Sequence, residues 1–279
     1  MADTTSNLSD LDKMDKSFRS TRHANSDGDI EDTGAPRLGR RESEPHSYEI
    51  NYLYDVLRTN FPADHTLWDL HHYFKVNEGE NEVDIQFDIS FFKNFQIKTF
   101  LSSYKAWNHQ NRVPTIAINI LSKSTMFKDL SINLDRCKTI GIPIYILFNP
   151  YLTSPKEYKA PYARIFYPSQ DNKYEFSEIK EIALIEGQSN TPDQSKLFDL
   201  GEEISFFIGI MKTKRFYVDN TPVFHLILVN KETGEKFLTR AGIAEQRAEQ
   251  EKQRAEQEKQ RADKAEEELR ELKEKSTKI

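Results

Sequence analysis

Two aspartates, Asp84 and Asp88, lie in the segment of the chain that is best suited to chemistry. They belong to a run of apolar and polar residues, 82–92, that predicts a β-strand. Farther along the chain, a nearly all-apolar run at 114–121 is followed directly by residues typical of a helix start. In α/β proteins, sites usually lie where a central strand ends and a helix begins. Carboxylates at such a place can hold a hard cation.

Histidines and basic residues provide two further candidates. His65, His71 and His72 could suggest a metal site, but neighbours on a strand point to opposite faces, so His71 and His72 cannot share one. The basic residues at 212–215 precede two aromatic residues, a combination that can contact a nucleic-acid backbone. We favour histidines that are hydrogen-bonded within the fold or exposed to solvent. For the basic residues we favour a solvated turn.

The elements that must position the aspartates follow from hydrophobic periodicity and turn residues. We predict a helix at 44–60, a hairpin formed by 66–75 and 82–92, a buried strand at 114–121, a helix capped by Ser124 or Thr125 and ended by Gly141, a buried strand at 142–148, and later strands at 162–167, 173–176 and 223–229. A strand, helix, strand order of this length indicates a parallel crossover. Segment 197–211 has mixed periodicity and stays unassigned.

Composition limits the class of protein. With 279 residues, of which 37% are hydrophobic and 30% charged, the chain can form one sizeable core with solvated extensions. No run reaches the roughly 18 apolar residues of a membrane helix, and the first residues do not resemble a signal peptide, so we expect a cytoplasmic protein without a membrane span. The single cysteine, Cys137, excludes an internal disulfide, and the net charge of −6 argues against a general nucleic-acid coat.

The two ends differ from the middle of the chain. Residues 1–45 are rich in Ser, Asp, Arg and Asn, which predicts a disordered tail, although a short segment with helical spacing could fold on a partner. Residues 241–279 repeat the heptad RAEQEKQ and predict a long helix. Glutamates occupy its early core positions, and Leu269 and Leu272 occupy the late ones. Two interpretations stay open: a coiled coil that makes a homo-oligomer, or an isolated helix held by Glu–Lys pairs.

The residues between the two ends carry a resemblance. The run RVPTIAINILSKSTMFKDLSINLDRCKTIGIPIYILFNP, residues 112–150, resembles the Uma two family of restriction endonucleases, a branch of the PD-(D/E)xK nuclease superfamily. The matching positions are Pro114, Ser122, Thr125, Asp129, Gly141, Pro143, Tyr145 and Pro150. The run FDISFF, residues 87–92, is similar to the family's upstream strand, and this puts the first acidic residue of the family on Asp88.

The resemblance implies a restriction-endonuclease-like domain at 46–240, an α/β fold with a mixed sheet flanked by helices. It also implies two carboxylates that hold Mg²⁺ and a lysine that helps to activate water, chemistry in which the metal stabilises phosphoryl charge. The chain departs from the family pattern at these positions. The second acidic position is Asn119, the lysine position is Asn133, and Asp88 and Asp129 alone remain of the charged set. The implied metal ligands are therefore Asp88 and Asn119.

The sequence thus favours a catalytically degenerate member of the family that acts as an interaction or assembly module. The alternative is a magnesium-dependent DNA endonuclease with relocated groups, in which Lys123 or Lys128 replaces the missing lysine. DNA binding without cleavage is a third interpretation, which the acidic net charge disfavours.

Overall fold

The computed structural model describes residues 43–276 except 78–79, 170–172 and 219. The predicted disordered tail lies almost wholly in 1–42, outside the described residues. In chain order the elements are α1 (Glu44–Asn60), β1 (His65–Asn77), β2 (Glu80–Phe92), β3 (Tyr104–Lys105), β4 (Ile116–Ile120), α2 (Met126–Lys128), a π-turn (Asp129–Asn133), α3 (Leu134–Ile140), β5 (Ile144–Asn149), β6 (Tyr162–Pro168), β7 (Tyr174–Ile179), β8 (Ile182–Ile185), β9 (Phe198–Asp199), β10 (Phe206–Val218), β11 (Thr221–Asn230) and α4 (Arg240–Ser276).

Seven strands form a mixed sheet in the order β3-β1-β2-β4-β5-β6-β7. β1 and β2 form the predicted hairpin, in which His65 pairs with Phe92 and Asn77 with Glu80, and β4 lies parallel to β5, as the predicted crossover requires. Every residue of β4 and β5 is buried, because both faces of the sheet are covered at these strands. The predicted α/β class, a mixed sheet with flanking helices and a long C-terminal helix, is confirmed and is consistent with a restriction-endonuclease-like fold.

A second sheet of four strands covers part of the large one, and the sequence did not predict it. Its order is β11-β10-β8, with β9 paired to β10. Apolar residues of α1, of the large sheet and of the small sheet share one core, which includes Leu53, Ile118 and Leu226. On the other face of the large sheet, the α2–α3 segment contributes to a separate core that includes Leu130 and Cys137. The predicted strand at 223–229 therefore belongs to the small sheet.

Two local predictions were wrong. The basic residues at 212–215 do not form a turn, because they lie within β10, where a shift in the pairing with β11 falls between Lys212 and Tyr217. Neither Ser124 nor Thr125 caps the crossover helix with its side chain. Thr125 occupies the cap position without a capping bond, and Ser122 Oγ accepts the Thr125 N–H at 3.2 Å.

The C-terminal helix begins beside the end of α1. Arg240 N–H donates to Asp55 Oδ2 at 2.9 Å, and Asn60 Nδ2 donates to the Leu238 carbonyl at 2.8 Å. Side chains from 244 to 268 are exposed, whereas Leu269 and Leu272 lie beyond the side chains that are described. Within the described residues, no helix has both the length and the apolar character needed to cross a membrane.

Candidate functional site

All four of the predicted site residues line one cavity of about 640 Å³ in the large sheet. Asp88 lies on β2, Asn119 on β4, and Asp129 and Asn133 at the two ends of the π-turn. Lys123 and Lys128, the candidate replacements for the missing lysine, line the same cavity with exposed side chains. The structure thus brings together residues that are up to 45 positions apart in the sequence.

The cavity forms where β2 and β4 separate. Their pairing covers only Ile89 to Phe91 on β2 and Ile116 to Ile118 on β4. Beyond it, side chains replace the backbone ladder: Asn119 Oδ1 accepts the Asp88 N–H at 3.2 Å, and Asp88 Oδ2 accepts the Ile120 N–H at 2.6 Å. Because buried N–H groups need partners, these two side chains satisfy the backbone at the point where the strands part.

A second set of hydrogen bonds joins the sheet to the crossover helix. Asp129 Oδ1 accepts from Asn119 Nδ2 at 2.8 Å and from Asn133 Nδ2 at 2.7 Å. Each of these three side chains belongs to a residue that is at most 4% exposed. Each amide orientation is fixed by its partners, since a carboxylate oxygen can only accept from an amide nitrogen.

Burial raises the pKa of Asp129 from its ordinary value of 3.8 to about 6. Desolvation is the largest cause, because a charged carboxylate loses its water on burial. The amide donor of Asn119 opposes the change, and the charge of Asp88 adds to it. Asp129 is therefore a carboxyl group that changes its protonation near neutral pH while hydrogen-bonded to two amides.

The π-turn sets the position of Asp129 and Asn133. The wider i→i+5 geometry interrupts the helix between α2 and α3, and such turns are often found at functional sites. Asp129, Leu130 and Asn133 are buried in this turn, so the polar pair faces the sheet together with an apolar neighbour. The sequence predicted a continuous helix here and gave no sign of the π-turn.

The sequence analysis missed several residues of the cavity, among them His46 and Gln86. His46, on the first turn of α1, has its Nε2 at 3.0 Å from the Ile120 carbonyl and 3.3 Å from Asp88 Oδ2. Gln86 precedes Asp88 by two residues on β2 and donates from Nε2 to Asp69 Oδ1. No local pattern marks His46, because only the packing of α1 on the sheet brings it to Asp88.

The predicted magnesium ligands, Asp88 and Asn119, do not fit a metal centre well in this arrangement. The side-chain carbonyl oxygen of Asn119 accepts the Asp88 N–H. One carboxylate oxygen of Asp88 accepts the Ile120 N–H. Among the described residues, no group of three His, Cys, Asp or Glu side chains is placed to hold a metal ion. Mg²⁺ gives up its water reluctantly and is usually bound through carboxylates, which makes a site with one free carboxylate oxygen a poor one.

Other candidate residues lie outside the cavity. Asn149, the last residue of β5, is fully buried and closes a turn by donating to the carbonyls of Leu152 and Tyr158. His71 bonds Asp84 at 2.8 Å, whereas His72 bonds Ser90 at 2.7 Å. The two histidines thus have separate partners, as strand geometry predicts.

Comparisons with known proteins give a distant structural likeness. No family model matches the chain, and no curated protein matches it. A solved structure that is similar in part is the "putative nuclease belonging to DUF820" from Anabaena variabilis, with 18% identity and a TM-score of 0.37. The match covers 58% of this chain and 77% of that one. The Uma two resemblance stays a prediction.

Proposed function

We propose that this chain is a catalytically degenerate restriction-endonuclease-like protein that acts as an interaction or assembly module. The observation that carries the proposal is the hydrogen-bonded set formed by Asn119, Asp129 and Asn133. In the family pattern that the sequence resembles, two of these positions would hold an acidic metal ligand and a lysine. Here both are amides, and both are engaged with a carboxylate.

Charge explains why this replacement removes catalysis. A nuclease of the implied kind needs anionic ligands for the metal and a cation that stabilises developing charge. An amide at position 119 is not an anionic ligand, and an amide at position 133 is not a cation. The loss of one preorganised electrostatic group lowers a catalytic rate by about 10² to 10³. The two amides carry no charge that could neutralise a metal ion or a phosphate. They donate hydrogen bonds to Asp129 instead, which supports a structural or binding role for the site.

The C-terminal helix supports an assembly role. From 244 to 268 its side chains are exposed, and intrahelical bonds such as Gln253 Nε2 to Glu249 Oε1 at 3.2 Å connect successive turns. A long helix that is polar all round either bridges to a partner or stands alone on its i,i+4 pairs. Its first residues are held by α1, so a partner bound to the helix would be tethered to the globular part.

Nuclease activity tests the catalytic half of the proposal. Purified full-length protein is incubated with supercoiled and single-stranded DNA in Mg²⁺ or Mn²⁺, and we expect no divalent-dependent cleavage. Metal-dependent cleavage that disappears in Asp88→Ala but persists in Asp135→Ala would overturn the proposal, since Asp135 is an exposed aspartate. The paired change Asn119→Glu with Asn133→Lys should be the most effective route to restored activity.

One observation favours the alternative, a magnesium-dependent endonuclease with relocated groups. Lys123 and Lys128 line the same cavity as Asp88 and Asp129, so a lysine is present near both retained carboxylates. Under this alternative, Lys123→Met or Lys128→Met would abolish a cleavage activity that the wild-type protein possesses. Under the proposal, neither substitution has an activity to abolish.

A further inference from the structure

The strand β7 forms one end of the seven-stranded sheet, and its outer edge has no partner strand among the described residues. Its residues, Tyr174–Ile179, pair with β6 in one continuous antiparallel register without a bulge. In the described part of the chain, no backbone hydrogen bond outside that pairing reaches Tyr174, Phe176 or Glu178. An exposed edge with unpaired N–H and C=O groups is a template on which another strand can pair.

The alternation of backbone groups along β7 shows which residues face outward. Ser169 N–H donates to the Lys173 carbonyl at 2.6 Å, so the backbone of Lys173 faces β6. Successive residues of an antiparallel strand face opposite neighbours, so the even-numbered residues of β7 face away from β6. Pro168 lies opposite Tyr174 and has no N–H to donate, which agrees with this alternation. The N–H and C=O groups of 174, 176 and 178 therefore point to the outside of the sheet.

β7 lacks the features that usually prevent an exposed edge from pairing. It contains no proline and no lysine, because Lys173 and Lys180 flank it, and Phe176 near its centre is 46% exposed. The other end of the sheet differs. There β3 has only two residues, and β1 behind it contains Asp69 with a left-handed φ of 45°. Of the two ends of the sheet, β7 is thus the one suited to strand addition.

We propose that β7 pairs with β7 of a second copy of this chain, antiparallel about a two-fold axis at Phe176, so that two seven-stranded sheets continue into one. The inference goes beyond the function proposed above and does not depend on whether the cavity is catalytic. A two-fold axis normal to the sheet keeps equivalent faces of the two copies together. Residues that lie opposite each other must therefore be an even number of positions apart in the sequence.

An axis at Phe176 uses every outward backbone group of the strand. Tyr174 pairs with Glu178 of the second copy, Phe176 with its equivalent, and Glu178 with Tyr174, which makes about six backbone hydrogen bonds. The two Phe176 side chains meet at the axis, and aromatic pairs across strands stabilise a sheet. An axis at Ser177 would place Tyr174 opposite Lys180, beyond the end of the strand, and would leave fewer pairs within it.

No like charges lie directly opposite each other in this register. Glu175 lies opposite Ser177 of the second copy, and Glu178 lies opposite Tyr174. Glu178 is also neutralised within its own copy by Arg164 and Lys180, each at 2.6 Å. Like charges opposite each other destabilise paired strands, so their absence makes β7 complementary to itself. This self-complementarity favours a second copy over an unrelated segment.

Cysteine cross-linking locates the contact, which mass alone would not do because α4 could also join two copies. In the proposed register the two Cα atoms at 176 lie about 5.5 Å apart, within disulfide range, and those at 177 about 8 Å apart, beyond it. With copper phenanthroline and air, full-length Phe176→Cys should give a linked dimer and Ser177→Cys should not. The wild type, whose Cys137 is buried, should give none. No link at 176, or a yield at 177 that matches or exceeds it, would overturn the proposal.

Sedimentation of the full chain, from micromolar to submillimolar concentration, measures the association. Two strands of this length pair over only about 20 Å, so we expect a weak dimer that forms as the concentration rises. Phe176→Pro removes an outward N–H from each copy and keeps the bonds to β6, so it should weaken association by about tenfold or more. Phe216→Lys, at a phenylalanine of β10 that is 42% exposed, should associate like the wild type.

Thermal unfolding shows whether Phe176→Pro still folds. If it does not, Phe176→Lys replaces it, because two lysines at the axis repel each other and leave the backbone of β7 intact. Association that is unchanged in the folded variant, or that is weakened as much by Phe216→Lys, would refute the pairing of β7 with itself.

Discussion

The buried carboxyl of Asp129 should make the stability of the protein depend on pH in a defined window. Its pKa in the folded chain is about 6, against an ordinary value of 3.8. Between these two values the folded chain keeps a proton that the unfolded chain has lost. Stability supplied by Asp129 is therefore complete below about pH 4 and is lost as the pH rises toward 6. The raised pKa corresponds to a loss of about 3 kcal/mol at most.

Asp129→Asn isolates this effect, because an amide keeps the shape and cannot ionise. Urea unfolding of the wild type and the variant at pH 4 and pH 7.5 gives the free energy of unfolding of each. We expect the variant to gain on the wild type by about 2.5 kcal/mol between the two values of pH, because a small part of the maximum is already lost at pH 4. Asp135→Asn, at an exposed position in α3, should show no such gain. A difference between wild type and Asp129→Asn that is the same at both values of pH would refute the reasoning.

Three further changes test the fold and the tail. Ile118→Asp puts an unpaired charge into a position that is 4% exposed, so urea unfolding should show a loss of several kcal/mol, and wild-type stability would contradict the buried strand. Glu49→Ala removes the fully buried partner of His225 and should cost about 3 to 5 kcal/mol in the same measurement, unlike a change at an exposed glutamate. Truncation after Ala265 should leave the thermal unfolding of the globular part unchanged but lower the mass seen by light scattering, and an unchanged mass would place any oligomer contact elsewhere.

The large sheet was predictable because its pattern is strong, whereas the small sheet was not. The runs at 114–121 and 142–148 are nearly all apolar, as strands covered on both faces must be. In β10 the alternation of buried and exposed residues fails, because Ile208, Gly209 and Ile210 are all buried. Glycine usually weakens a strand, but a Cβ at Gly209 would lie 2.5 Å from Leu197 Cδ2 and 3.3 Å from Ala183 Cβ, so a larger residue there would have to displace the Leu197 side chain. Packing between elements, which a single sequence does not display, decided this strand.

The sequence predicted which residues form the candidate site, but not how they contact one another. Asp88, Asn119, Asp129 and Asn133 were placed through a motif frame, and they do line one cavity. The reason for their coexistence is visible only in three dimensions. A glutamate at 119 would put a third carboxylate beside Asp88 and Asp129, and such a cluster needs a cation to be stable. An amide there removes that need and donates to Asp129 instead. The same holds at 133, where a lysine would supply the compensating charge and an amide supplies a hydrogen bond. The two asparagines therefore act on the same group: each donates an amide hydrogen bond to Asp129 Oδ1, so together they connect β4 and the π-turn through one buried carboxyl group.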